Sequence, residues 1–125
     1  MNNILKGGNR MKINEIKELL CAEILCGGEF LSNEVNFAFG SDLMSDVLAY
    51  VKEKTVLLTG LTNMQVIRTA EMAELIAIIF VRGKRPDQDL VTLAMENNIV
   101  LMLTTDTMYT ASGKLYCKGL EGTQL

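Results

Sequence analysis

The chain has 125 residues, 49% hydrophobic and 22% charged, which fits one globular domain that folds without metal or disulfide staples. Twelve basic and fifteen acidic side chains give a formal net charge of -3, which argues against general binding of nucleic acid through its phosphates. No apolar run approaches the roughly 18 residues that cross a bilayer, and no signal-peptide core is visible. We therefore expect a cytoplasmic protein with no membrane or nucleic-acid partner.

The chain contains no histidine, which removes the commonest general base and excludes Ser-His and Cys-His nucleophile pairs. Its three cysteines, Cys21, Cys26 and Cys117, have no Cys-x-x-Cys spacing and favour buried reduced thiols over a zinc site. No set of residues assembles a nucleophile, an orienting partner and an oxyanion site. The sequence thus predicts a protein that is not an enzyme and has neither metal nor cofactor.

In chain order, the polar residues 1–10 predict a mobile leader. Apolar spacing predicts a first helix over residues 13–20, with Asn14 as its cap. Apolar stretches then predict five strands, over residues 23–26, 35–39, 55–59, 76–81 and 99–103. The last three are continuous apolar runs, as is typical of strands covered on both faces.

Apolar stripes at helical spacing predict further helices over residues 43–51, 66–73, 90–94 and 108–115. Ser41 or Asp42 is the expected cap of the first, Thr62-x-x-Gln65 reads as a capping box for the second, and Pro86 suits the first turn of the third. The alternation of strands and helices from residue 35 predicts a three-layer α/β/α sandwich with a mostly parallel sheet of about five strands. We assign residues 11–120 to this domain and residues 121–125 to a tail, and leave the place of strand 23–26 open.

Polar loops follow the predicted strands at their carboxyl ends, where open parallel sheets bind ligands. Residues 59–63, here named the threonine loop, combine a glycine with hydroxyl and amide side chains, but they lack the second glycine and the lysine of a Walker loop. Residues 82–85, here named the cationic loop, carry Arg82, Lys84 and Arg85 around a glycine, a composition able to hold phosphate or carboxylate. The alternatives are a helix-capping turn and a solvated loop. We expect both loops to leave the same sheet edge and to share a pocket.

Other polar and aromatic residues have two interpretations each. Asp42 and Asp46 share a helix face and suit either a hydrated magnesium ion or the positive end of the helix dipole, and we favour the dipole. Asp106 is either a cap or a ligand contact. Tyr109 and Tyr116 could stack on a base or pack at a dimer interface, and we favour packing. The eight methionines are interpreted as core filler.

Four blocks in order resemble the DRTGG domain family: residues 40–48 (GSDLMSDVL), 56–63 (VLLTGLTN), 78–84 (IIFVRGK) and 104–106 (TTD). The similarity extends over residues 11–119. It implies a regulatory rather than catalytic domain that, in regulated pyrophosphatases, stands beside CBS pairs, helps to dimerise the protein and lies next to an adenine-nucleotide site. The chain looks like the free-standing members of bacteria and archaea.

The first hypothesis is therefore a signalling or sensor domain that binds a small anionic ligand, an adenine nucleotide, at the carboxyl edge of the sheet, as a cytoplasmic homodimer. The alternative is a homodimerising adaptor module that binds a protein partner and no small molecule. An enzyme that uses Asp42, Asp46 or Asp106 ranks last. The expected ligand contacts are Ser41, Asp42, Thr59, Gly60, Thr62, Asn63, Arg82, Lys84, Arg85 and Thr105.

Overall fold

The computed structural model describes residues 10–123, so the predicted leader lies outside the described residues except for Arg10. The helices are α1 (Ile13–Leu20), α2 (Met44–Tyr50), α3 (Met64–Ala73), α4 (Gln88–Glu96) and α5 (Met108–Cys117). The strands are β1 (Met11–Lys12), β2 (Glu23–Cys26), β3 (Glu34–Val35), β4 (Phe37–Gly40), β5 (Thr55–Thr59), β6 (Ala77–Phe80) and β7 (Val100–Leu103). In the described part of the chain, no helix has the length and apolar character that a membrane span requires.

The main sheet has five strands in the order β2-β7-β6-β5-β4. Strands β4 to β7 run parallel to their neighbours, and β2 pairs with β7 in the antiparallel sense. This arrangement confirms the predicted fold class. It also places strand 23–26, because an antiparallel edge strand needs no crossover helix before the next element.

The helices cover both faces of this sheet. Helices α1 and α5 pack on one face, and α2, α3 and α4 pack on the other. In β5, the side chain of Leu57 lies in the core on the side of α2, α3 and α4. The side chains of its neighbours Val56 and Leu58 lie in the core on the side of α1 and α5. All three are at most 1% exposed, which explains the continuous apolar run that this strand shows in the sequence.

A second, two-stranded sheet pairs Met11 with Val35 in the antiparallel sense. The predicted strand 35–39 is therefore divided, since Val35 belongs to β3 and the main-sheet strand begins at Phe37. Helix α1 begins at Ile13, so Asn14 lies inside its first turn and is not its cap, contrary to the prediction.

The helix caps differ from the prediction at α3 and α4. Asn63 is the cap of α3, where its side chain accepts a hydrogen bond from the backbone N–H of Gln65, so the expected capping box at Thr62 is wrong. Asp87 caps α4 by accepting from Leu90, and Pro86 therefore precedes the helix. Both predictions placed the helix start too early, because the true caps, Asn63 and Asp87, lie further along the chain and are good acceptors with extended backbone.

The segment after α5 closes the outer edge of β4. The backbone N–H of Ala38 donates to the carbonyl of Glu121 at 3.0 Å, and Gly122 forms a parallel bridge with Ala38. Leu120 is 1% exposed and belongs to the core. Ordered pairing therefore continues past residue 120, where we predicted the domain to end, and it covers backbone groups that an edge strand would otherwise leave unpaired.

The packing predictions for sulfur-containing side chains are only partly correct. Met44 and Met102 are buried, but Met72 and Met95 are 67% and 58% exposed. Cys26 is the one buried thiol of the three cysteines, all of which lie in the described part of the chain; Cys21 and Cys117 are exposed at the ends of α1 and α5. A helix that packs on a sheet buries one stripe only, so the remaining sulfur side chains lie on the solvent face.

Candidate functional site

The carboxyl ends of four strands form one edge of the sheet, here named the rim. Residues Gly40 and Leu58 are register partners, as are Thr59 and Phe80, so the loops that follow β4, β5 and β6 leave side by side. Phe80 is in turn the partner of Leu103, which brings the loop after β7 to the same edge. The threonine loop and the cationic loop therefore leave the rim as neighbours, as expected from a parallel sheet.

Asp42 is the centre of the polar contacts at the rim. Its Oδ1 atom accepts a hydrogen bond of 2.8 Å from the hydroxyl of Thr59 and another of 2.8 Å from the backbone N–H of Gly60. The N–H of Leu61 donates to Thr59 Oγ1 at 3.1 Å. The bond from Gly60, and then that from Thr59, hold the pKa of Asp42 below its ordinary value, and the charge of Arg82 adds to this effect. The Thr59 hydroxyl and the Gly60 N–H of the threonine loop are thus satisfied by a carboxylate of the same chain.

The contacts of Asp42 differ from its predicted role as a helix cap. Helix α2 begins at Met44 with Leu43 in the cap position, and no side chain caps it. Ser41 turns the chain instead, because its hydroxyl accepts the N–H of Leu43 at 2.9 Å. The cap prediction is wrong because Asp42 lies one residue too early, and its carboxylate crosses to the loop after β5.

Arg82 lies against Gly60. A Cβ atom on Gly60 would meet Arg82 Nη2 at 2.8 Å, so the guanidinium occupies the space that a larger residue would need. The backbone N–H of Arg82 donates to the carbonyl of Asp106 at 2.8 Å, and that of Gly83 donates to Thr104 at 2.9 Å. Both donors belong to residues with positive φ angles, 58° and 66°. The cationic loop is therefore fixed by its backbone to the loop after β7.

The three cations of the cationic loop have different partners. Arg85 donates two hydrogen bonds, of 2.6 and 3.1 Å, to the carboxylate of Glu23 at the start of β2. This bond lowers the pKa of Glu23 and raises that of Arg85. Within residues 10–123, Arg82 and Lys84 form no ion pair within 4.0 Å, and both are exposed. Two of the three predicted anion contacts are thus available, and the third is engaged.

The loop after β7 is held by contacts that the sequence did not suggest. The Thr104 side chain is buried and its hydroxyl donates to the carbonyl of Leu20 at 3.0 Å, while its oxygen accepts the N–H of Asp106 at 3.2 Å. The carboxylate of Asp106 pairs with Lys114 at 2.9 Å and raises the pKa of that lysine. Thr107, not Asp106, caps α5. Lys114 lies two turns into α5, and no spacing signal in the sequence pointed to it.

The predicted ligand contacts Thr62 and Thr105 take no part in the hydrogen bonds described above. Thr62 is half-buried and Thr105 is exposed, and neither side chain is hydrogen-bonded among the described residues. Asp46 lies in the first turn of α2, and its side chain forms no hydrogen bond with Asp42. In the described ranges, no three acidic or cysteine side chains group in a way that could hold a metal ion.

A separate groove of about 920 Å³ runs between α5 and β4. It is lined by Phe39, Lys114 and Leu120 among others, and Tyr109 and Tyr116, which are 90% and 68% exposed, lie at its border. The two tyrosines therefore do not pack against other residues within 10–123. None of the residues that line the groove belongs to the threonine loop or the cationic loop.

The sequence matches the DRTGG domain family over residues 15–116. The chain belongs to this family. Its fold is similar to a crystal structure of the CBS and DRTGG domains from the regulatory region of a Clostridium perfringens pyrophosphatase, in complex with the activator diadenosine tetraphosphate. The TM-score is 0.71 at 18% sequence identity, and the match covers 96% of this chain and 52% of that one. The DRTGG protein described here thus spans about half the length of its structural neighbour. A comparison with curated proteins found no match.

Proposed function

We propose that this DRTGG protein is a regulatory domain that binds a small anionic ligand, an adenine nucleotide, at the rim. The observation that carries the proposal is the pair of exposed cations, Arg82 and Lys84, which have no ion-pair partner among the described residues; the guanidinium of Arg82 lies against Gly60 of the threonine loop. The activator bound by the similar pyrophosphatase region supports a nucleotide as the ligand class.

The chemistry of the rim suits phosphate. A guanidinium presents several N–H donors in one plane and binds phosphate oxygens in pairs, and a lysine adds a mobile point charge. Gly60 leaves room for the guanidinium directly above the loop. The N-terminus of α3, capped by Asn63, adds the positive end of a helix dipole on the same side. Ser41, Thr62 and Thr105 offer hydroxyl groups around this centre.

The three free cysteines of the described chain support a reducing compartment such as the cytoplasm. The family and the Clostridium neighbour support a bacterial signalling role. In this proposal the domain performs no chemistry: Asp42 is engaged with a hydroxyl and a backbone N–H, Asp106 pairs with a lysine, and the only hydroxyl that donates to an aspartate of the described chain, that of Thr59, is buried.

The test measures the melting temperature with ADP, ATP and diadenosine tetraphosphate, together with two arginine variants. A ligand at 100 times its dissociation constant should stabilise the wild type by about 2.7 kcal/mol. Arg82→Asn removes the guanidinium but keeps a residue that tolerates positive φ; it should weaken binding at least tenfold. Arg85→Gln is the matched control, because it removes an equal charge that is already paired with Glu23. No stabilisation at millimolar nucleotide, or equal losses in both variants, would refute the proposal.

The second candidate is a homodimerising adaptor module, which the α5 groove favours. Tyr109 and Tyr116 are exposed on one helix above apolar wall residues, and tyrosine is enriched in protein interfaces. Light scattering should then give twice the chain mass at micromolar concentration, and Tyr116→Ser should return it to one. A single-chain mass for the wild type would count against this candidate.

A further inference from the structure

The surroundings of Asp42 Oδ1 are those of a bound anion. A hydroxyl and a backbone N–H both point at this oxygen from 2.8 Å, and the guanidinium of Arg82 lies next to the same glycine. An oxygen of a phosphate group would use the same three kinds of donor. The carboxylate therefore fills the position at which the threonine loop could receive a ligand oxygen.

The burial of these groups shows which of them can move. Thr59 is the last residue of β5 and Gly60 follows it, and both are buried, whereas Asp42 is exposed. Asp42 also lies in the short connection between β4 and α2, where the only side-chain hydrogen bonds of its two neighbours, among the described residues, join Ser41 and Leu43. The donors are thus fixed in the fold, and the acceptor stands on a segment that can swing away.

From this geometry we infer that Asp42 is an internal anion, which a ligand phosphate displaces from Thr59 and Gly60 when it binds. This inference rests on the function proposed above and assigns Asp42 a regulatory role in place of a direct ligand contact. Two anions cannot share the donors, because like charges a few ångströms apart repel. The carboxylate therefore competes with the ligand phosphate and weakens its binding. Only a ligand with enough negative charge displaces it.

Displacement has a structural consequence that suits a regulatory domain. Asp42 is the link between the start of α2 and the loop after β5. Its release frees the connection before α2, while the backbone bond from Ser41 to the carbonyl of Leu58 holds the end of β4 in place. Ligand binding at the rim is thereby coupled to the conformation of the connection before α2, while the buried side chains of Met44 and Val47 keep the helix on the sheet.

The experiment measures binding of inorganic pyrophosphate by calorimetry to the full chain and three variants. Asp42→Ala removes the internal anion, Asp42→Asn keeps an acceptor oxygen without charge, and Asp46→Asn is the control that removes an equal charge one turn away. Removal of a unit charge about 4 Å from the ligand in a water-like medium should tighten binding roughly fivefold. We expect at least that gain for Asp42→Ala, a smaller gain for Asp42→Asn, and less than a twofold change for Asp46→Asn. The gain should shrink as salt rises.

The outcomes separate this inference from the proposed function. If the wild type binds pyrophosphate through Arg82 and neither Asp42 variant binds more tightly, the displacement is refuted and the ligand site stands. If neither the wild type nor the Asp42 variants bind, both are refuted. If Asp42→Ala does not fold, the Asp42→Asn comparison decides. In the wild type, the amide resonance of Gly60 should shift on addition of pyrophosphate, because its acceptor changes; an unchanged resonance at saturation would also overturn the inference.

Discussion

Gly27 is the glycine at which a substitution should cost the fold most. It follows β2 with φ 87° and ψ 21°, and an alanine there would place its Cβ 2.8 Å from Val100 Cα and 2.9 Å from Val100 Cγ2. The closest of these atoms is backbone of β7, which is paired on both sides in the sheet and cannot retreat. Gly27→Ala must therefore displace β2 from β7 or bend the turn.

The magnitude follows from two costs and one gain. Left-handed backbone costs a non-glycine residue about 1–2 kcal/mol, and overpacking a tight site costs about 1–3 kcal/mol. The loss of unfolded-state entropy returns roughly 0.4–1 kcal/mol. We expect a net destabilisation of roughly 1–5 kcal/mol, centred on about 3 kcal/mol, a large part of the stability of a domain this size.

Urea denaturation of the Gly27→Ala and Gly28→Ala variants tests this reasoning. Gly28 is the matched control, because its added Cβ would meet no atom within 4 Å and its φ is not in the left-handed region. It should change stability by less than about 1 kcal/mol. The midpoint should fall for Gly27→Ala with an unchanged slope. If the two variants differ by less than about 1 kcal/mol, the close approach of Gly27 to Val100 is not what the structure implies.

Two further predictions concern the rim. Because contacts with Gly60 and Thr59 lower the pKa of Asp42, its charge stabilises the fold above the unfolded pKa of about 4 and less as the pH falls through the folded value. Asp42→Asn should therefore lose stability at pH 7 and converge on the wild type as the pH falls through the lowered pKa of Asp42, as followed by thermal melting; a constant difference would contradict this. Thr104→Val should cost about 1–3 kcal/mol, since it leaves the carbonyl of Leu20 unpaired, whereas Thr104→Ser should cost less in the same assay.

The layers of the fold were predictable because a strand that is buried on both faces has a continuous apolar run in its sequence. The run over residues 99–103 is apolar at every position, and the run over residues 55–59 has three apolar residues between two threonines; the structure buries both between helices. The antiparallel direction of β2 has no corresponding pattern in the sequence. It depends on its pairing with β7, about 80 residues further on, and a four-residue apolar stretch is compatible with either direction.

The position of the rim was also predictable, but its internal partners were not. That loops after parallel strands meet at one edge follows from topology. The bond from Gly60 to Asp42 spans 18 residues, the pair of Arg85 with Glu23 spans 62, and the bond from Thr104 to Leu20 spans 84. Periodicity and cap signals act over three or four residues, so they contain no information on these pairs.

The cationic loop shows how such long-range pairs determine which cations are free to attract the proposed ligand. Its three cations are equal in the sequence, yet Glu23 neutralises Arg85, whereas Arg82 and Lys84 are exposed and form no ion pair within 4.0 Å among the described residues. Asp42 offsets one of these two charges as long as it holds the threonine loop. A ligand with one negative charge gains little by displacing it, because it replaces one anion by another. A ligand with several phosphate charges gains the attraction of both cations, so the proposed displacement favours polyphosphates over single carboxylates.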